Sequence, residues 1–193
     1  MGEAASTTFT SEEFLAWEAE QPGKHEFVAG EAFAMGGASD RHATISLNIA
    51  SALRDHLRGG PCRSFMADMK VRVDAADAFF YPDVLVTCDP ADRERSHYKT
   101  APTLIAEVLS PSTEAFDRGQ KFAAYRQLPS LQEYLLIDPA QGSVELYRRD
   151  EADHWVLHAH GPGEAVSLAS VACTLEEATI FEDAPPGPEP EAG

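Results

Sequence analysis

The sequence predicts an α/β domain of the α+β kind, a central mixed β-sheet flanked by helices and preceded by an N-terminal hairpin and a long helix. Three observations carry that expectation. Apolar segments of strand length come in adjoining pairs split by turn residues, at 63–73 with 79–87 and at 134–138 with 143–148. One helical stretch, 117–127, lies between two apolar strands and reads as a crossover. Ahead of them Ile45, Ile49, Leu53 and Leu57 recur every four residues, the period of an amphipathic helix.

Each element has a local reason. Thr10-Ser11-Glu12-Glu13 is a capping box that opens a short helix to about Glu20, ended by Gln21-Pro22-Gly23. Residues 25–35 alternate loosely about a turn at Val28-Ala29-Gly30-Glu31, which suggests a hairpin. Gly59-Gly60-Pro61 stops the long helix. Asp74-Ala75-Ala76-Asp77 turns the first strand pair, and 89–102 is a polar loop. Residues 103–109 form a buried strand and 110–116 a connection. Asp117-Arg118-Gly119-Gln120 has the form of a second capping box, with Asp117 as the cap and Lys121 in the first helical turn. Pro139-Ala140-Gln141-Gly142 turns the last hairpin, continued by a strand at 154–158. The expected organisation is a tail at 1–9, one domain at 10–183 and a disordered, proline-rich acidic tail at 184–193.

With 193 residues, 44% of them hydrophobic, the chain can build one proper core but not two. No apolar run reaches membrane-spanning length, and the acidic start lacks the pattern of a signal peptide, so a soluble cytoplasmic protein is expected. Cys62, Cys88 and Cys173 are odd in number and far apart, which argues against a disulfide framework and against a zinc site. The net charge of −17 opposes binding to a polyanion, but it is concentrated at the ends. Residues 1–20 hold five acids and no bases, residues 150–193 ten acids and no bases, and the middle is only −2. A basic face around Arg118, Lys121 and Arg126 is therefore compatible with the composition.

Two acids stand out from their surroundings. Asp83 follows a proline inside the apolar run Phe79-Phe80-Tyr81-Pro82-Asp83-Val84-Leu85-Val86, and Glu107 interrupts Leu104-Ile105-Ala106-Glu107-Val108-Leu109. Burying an unpaired carboxylate costs several kcal/mol, so a cation or a dense hydrogen-bond network is expected nearby. Mg²⁺ is commonly held by one or two carboxylates together with water and a substrate phosphate, and Lys121 is a candidate ammonium beside it. Bland roles stand beside these. Asp83 also reads as a turn or cap residue, Glu107 as half of a structural ion pair, Lys121 as a solvated helix lysine, and Asp117 as a helix cap. Tyr125 reads as core, His42 as a cap or packing residue, and Glu31 as a hairpin-turn carboxylate.

At these residues the chain resembles a known family. Pro82-Asp83, Glu107-Val108-Leu109-Ser110-Pro111-Ser112-Thr113, Asp117-Arg118-Gly119-Gln120-Lys121-Phe122 with Tyr125, Leu131-Gln132-Glu133-Tyr134 and Ile137-Asp138 look like the Uma-two family of endonucleases. The likeness spans about 10 to 183 and includes Glu26, the Gly30-Glu31 turn, Met35 and His42. That family is similar to the PD-(D/E)XK superfamily, which implies a restriction-endonuclease-like fold and hydrolysis of DNA phosphodiesters. It further implies Mg²⁺, with Mn²⁺ as a substitute, held by Asp83 and Glu107, Lys121 as the catalytic cation, and a homodimer that cuts both strands. Glu31, His42, Asp117 and Tyr125 become candidate supporting residues. The superfamily lysine usually lies two positions after the second acid, where this chain has Leu109, so the role passes to a lysine on the following helix. The competing reading is a catalytically inactive nuclease-fold domain that acts as an acidic protein-binding or regulatory module, its acidic ends mimicking or excluding nucleic acid.

Overall fold

The computed structural model describes residues 9–187. In chain order its elements are α1 (Ser11–Glu18), β1 (His25–Val28), β2 (Glu31–Ala34), α2 (Asp40–His56), β3 (Arg63–Met66), β4 (Lys70–Val73), β5 (Ala78–Phe80) and β6 (Val84–Thr87). There follow α3 (Ala91–Glu94), β7 (Tyr98–Lys99), β8 (Pro102–Val108), α4 (Glu114–Phe116), a π-helical turn (Asp117–Lys121) and α5 (Phe122–Tyr125). The remainder is β9 (Glu133–Asp138), β10 (Ser143–Arg149), β11 (Trp155–His160), β12 (Val166–Leu168), β13 (Cys173–Leu175) and α6 (Glu177–Ile180). They form a mixed α+β fold in which sheets are flanked by helices.

Among the described residues the strands form two large sheets and a small third one, β12 with β13. A six-stranded sheet has the order β11-β10-β9-β8-β6-β3, and a five-stranded sheet the order β2-β1-β5-β4-β7. Only β8 and β9 run parallel in the first, joined across the helical segment at 114–125 as the crossover reading expected. The expected long hairpin of 63–73 and 79–87 is split between the sheets, since β4 pairs with β5 in one and β3 with β6 in the other. The break falls at Tyr81-Pro82-Asp83, where proline has no N–H to give to a ladder and fixes its own φ. Asp83 is therefore placed where the chain passes from one sheet to the other.

Alternation along β6 and β8 decides which side each residue serves. Val84, Val86, Leu104, Ala106 and Val108 pack against Ile45, Ile49 and Leu53 of α2 and Ile180 of α6. Those three α2 side chains are fully buried, each worth about 1.5–3 kcal/mol. Leu85 and Ile105 face the other way, against Phe122, Tyr125, Val71 and Phe80. By the two-residue period of a strand, Asp83 and Glu107 share that second side. A third, aromatic cluster of Phe14, Phe27 and Phe79 fixes α1 to the five-stranded sheet.

Other expectations need correction. Cys62 and Cys88 form a disulfide across the β3 and β6 ends, because Arg63 pairs with Thr87 and the next residue out on each strand is cysteine. Sequence spacing hid this, since the 26-residue separation is bridged only by the sheet. The polar loop at 89–102 is built on buried Asp92, whose carboxylate accepts from the Thr87 hydroxyl and the amides of Thr100 and Ala101. Residues 184–187, assigned to the disordered tail, are part of the folded surface. Ala184 is buried, the Gly187 amide donates to the Pro139 carbonyl, and Pro186 lies against Gly142. The remainder of that tail, 188–193, and the N-terminal stretch 1–8 lie outside the described residues.

Candidate active site

Because Val84 pairs with Ala106 in the antiparallel ladder, Asp83 stands opposite Glu107. The two are tied reciprocally: the Asp83 amide donates to Glu107 Oε2 at 3.2 Å, and Asp83 Oδ2 accepts from the Val108 amide at 2.8 Å. Bonding to an amide and ring fixes Asp83 in place, while its side chain stays 20% exposed. The ring is that of His42, in the first turn of α2, whose Nε2 lies 3.2 Å from Asp83 Oδ2. The helix cap itself is Ser39, which accepts from the His42 amide. Burial would lower the His42 pKa, but the hydrogen bond to Asp83 and that carboxylate's charge outweigh it and leave it raised.

Behind Asp83 the site is dry. Lys121 is 5% exposed, and its Nζ lies 3.0 Å from Glu107, 3.1 Å from Glu26 and 3.4 Å from Asp117. The Tyr125 hydroxyl donates to Glu107 Oε1 at 3.2 Å, so Tyr125 is both core and part of the cluster. Asp117 is not a helix cap. The helical segment begins three residues earlier, at Glu114, whose amide bonds back to Ser110. That leaves Asp117 and Lys121 at the two ends of a π turn, a local widening that recurs at functional sites. Lys121 is accordingly held within the helix against carboxylates, not in a first turn facing solvent.

The electrostatics do not balance within the protein. Burial pushes the Glu107 carboxyl well up; Lys121 opposes this, while Asp117, Asp83 and Glu26 add to it. Asp117 is raised too, by burial foremost, against the pull of Lys121. Burial alone would depress Lys121, yet Glu107 and Glu26 keep its ammonium firmly protonated. One buried ammonium thus faces Glu107, Glu26, Asp117 and, one residue further, Asp83. A divalent cation would relieve that excess.

The donor set fits a hard cation that keeps some of its own water. Among the described residues no group of three or more His, Cys, Asp or Glu side chains could by itself hold a metal ion. Mg²⁺ does not require one, since one or two carboxylates plus water and phosphate suffice. Asp83 and Glu107, side by side at the sheet junction, supply that minimum.

Two assignments made from sequence fall elsewhere. Glu31 is exposed at the start of β2, whereas the acid of the first hairpin that reaches Lys121 is Glu26, buried on β1 and also accepting from the Tyr81 amide at 3.1 Å. A charged residue directly before Phe27-Val28 in a short strand was the available signal for it. The basic face around Arg118, Lys121 and Arg126 is not formed. Lys121 is buried, Arg118 is paired with Glu114 at 2.8 Å and Glu145 at 2.5 Å, and Arg126 lies over the Phe122 ring.

Residues 11–179 match the family model Uma2, described as "putative restriction endonuclease". The chain belongs to the Uma2 family. Two similar proteins come from Synechocystis sp. (strain ATCC 27184 / PCC 6803 / Kazusa). The uncharacterized protein slr1290 is 38% identical over 170 residues, covering 88% of this chain and 90% of the relative. The uncharacterized protein sll1609 is 37% identical over 156 residues, covering 80% and 88%. In three dimensions this Uma2 chain is similar to a solved structure described as a "putative nuclease belonging to DUF820" from Anabaena variabilis. The TM-score is 0.73 at 20% identity, over 90% of this chain and 97% of that one. At that identity the likeness establishes the fold.

Proposed function

We propose that this Uma2 protein is a Mg²⁺-dependent endonuclease that hydrolyses DNA phosphodiester bonds. The observation that carries the reading is the buried lysine at the centre of four acids: Lys121 in contact with Glu107, Glu26 and Asp117, with Asp83 joined to Glu107 across the strand. As a purely structural ion pair the arrangement is over-supplied with negative charge, and replacing such a pair by apolar residues is often neutral or stabilising. In a metal site, a divalent cation and the lysine together offset three of the four negative charges.

Asp83 and Glu107 would hold the cation, which when bound acidifies water and offsets charge that develops on the phosphate. The remaining roles belong to the chain. Asp83 and Glu107 are fixed in rotamer by the Val108 amide, the His42 ring, the Asp83 amide and the Tyr125 hydroxyl, so their oxygens are preorganised. The Lys121 ammonium holds Glu107 from the far side and opposes the burial that raises its carboxyl. His42, on the exposed side of Asp83, can accept or return a proton at Nε2 as the leaving oxygen departs. Substrate choice, a dimer that addresses both strands and a cytoplasmic location form part of the same proposal. No helix among the described residues is long and apolar enough to cross a membrane.

Plasmid DNA incubated with purified protein and Mg²⁺ or Mn²⁺ provides the test. Nicking or linearisation that is abolished by EDTA, and reduced about 100-fold or more in Asp83→Ala, Glu107→Ala and Lys121→Ala, is the expected result. Cleavage that persists in Glu107→Ala, or that ignores EDTA, contradicts the proposal. A folded wild-type protein that cuts neither plasmid nor single-stranded DNA points instead to the inactive binding module.

A further inference from the structure

A cavity of about 600 Å³ opens between the end of α1, the 21–24 turn, β4 and the Tyr98 loop. Its floor is apolar, from Leu15, Ala16, Ala19 and Pro22, and its wall carries Tyr81 and Tyr98. Two ammonium groups, Lys24 and Lys70, line it against one carboxylate, Glu18. Lys70 is paired with Glu18 and Lys24 with Asp68, so the lining is close to neutral in a chain of net charge −17. Glu18 is already engaged, accepting from Lys70 at 2.5 Å and from the Tyr81 hydroxyl at 2.6 Å, so it does not repel an anion as a free carboxylate would.

The cavity adjoins the acid cluster through two short paths. The Tyr81 side chain lines the cavity while its amide donates to Glu26, the acid 3.1 Å from Lys121. On the other side Lys24 lies over the Tyr81 ring and donates to the Ala67 carbonyl at 3.3 Å, and the Ala67 amide donates to the Asp83 carbonyl at 3.1 Å. One apolar, partly aromatic chamber lined by two ion-paired lysines is thus linked to the Glu26 carboxylate on one side and to the Asp83 backbone on the other. Its volume is in the range of small-molecule sites and ample for one nucleoside.

We propose that this cavity is a nucleoside subsite, which receives an unstacked base next to the phosphate that would sit at Asp83 and Glu107, and that the substrate is accordingly single-stranded or locally unpaired DNA. The inference rests on the nuclease reading and adds the substrate class. Base stacking within a duplex keeps its bases from entering such a cavity, whereas a single strand presents its bases to an apolar, aromatic lining without the cost of unpairing.

The test reads binding alone, in EDTA, where no strand is cut. Fluorescence anisotropy compares a labelled single-stranded octanucleotide with the same sequence annealed as a blunt duplex. Ala16→Trp in α1 and Ala19→Trp at its C-terminal cap fill the cavity from exposed positions outside the acid cluster, so at least one should fold. The single strand should bind more tightly than the duplex. Each folded variant should weaken single-strand binding about tenfold, the scale of losing one base contact, and leave duplex binding unchanged. A nucleoside 5′-monophosphate should compete where inorganic phosphate does not. Equal affinity of wild type and both variants for the single strand, a preference for duplex, or equal competition by phosphate would overturn the subsite. Because cleavage is not measured, the plasmid assay can fail while this binding holds, and the reverse.

Discussion

At the scale of single residues the decisive side chain is Lys121, because among the described residues it is the ammonium in contact with Glu107, Glu26 and Asp117. Substituting methionine for it keeps the volume and removes the charge. In the metal-free protein Lys121→Met should cost about 3–5 kcal/mol near neutral pH, the scale of stranding a buried partner. The sign of its pH dependence follows from Glu107, whose carboxyl is already raised by burial above the ordinary value of 4.5. An acid with a raised folded pKa holds its proton longer in the native state, so stability falls as pH rises from 4.5 through the folded value. The variant should therefore recover stability in acid, measured by urea unfolding between pH 4.5 and 8. A flat profile, or a loss in acid, would count against the buried excess of carboxylate. Asp83 and Glu107 were legible in the sequence as acids out of place in apolar runs. Glu26 was not singled out by the residues themselves, because one glutamate in a four-residue strand does not reveal which way it faces.

At the scale of elements the sheet brings together what the chain keeps apart. The strands of the six-stranded sheet were legible from their apolar alternation, and α2 from its four-residue period. The passage between sheets at Tyr81-Pro82-Asp83 was not, since the apolar run continues on both sides and a strand pattern cannot say which sheet it joins. The same limit concealed the Cys62–Cys88 bond, which the β3–β6 register creates. Asp117 was misread as a cap for a related reason. Next to the first turn of a helix a carboxylate looks the same whether it meets free amides or a buried lysine. The disulfide gives a direct check. Protein unfolded without reductant should show one reactive thiol, that of Cys173, and three after reduction. Reduction should also lower unfolding free energy by about 3–4 kcal/mol, the chain-entropy scale for a loop of this length. Three thiols in unreduced protein would show the pair to be open.

At the scale of the whole molecule the fold is closed by its last described residues. Ala184 is buried, Pro186 covers Gly142 and Gly187 is bonded to Pro139, with Arg41 of α2 reaching the Gly187 carbonyl. The acidic composition that suggested a free tail from 184 does not distinguish the four residues that dock. A chain ended at Gly187 should melt within about 1 °C of the full protein, and one ended at Asp183 about 2–4 °C lower, for a loss near 1 kcal/mol. Equal melting of the two truncations would return the boundary to 183. Charge tells a similar story at this scale. The net −17 is carried largely by the chain ends, while the acid cluster is an unbalanced interior, and the whole account depends on that imbalance being met by a metal. Diffraction from crystals soaked in Mn²⁺, with the ion located by its anomalous signal, addresses this most directly. The account predicts one ion about 2.1–2.2 Å from a carboxylate oxygen of both Asp83 and Glu107. An ion bound elsewhere, or well-ordered Asp83 and Glu107 with no ion between them at saturating Mn²⁺, would contradict it.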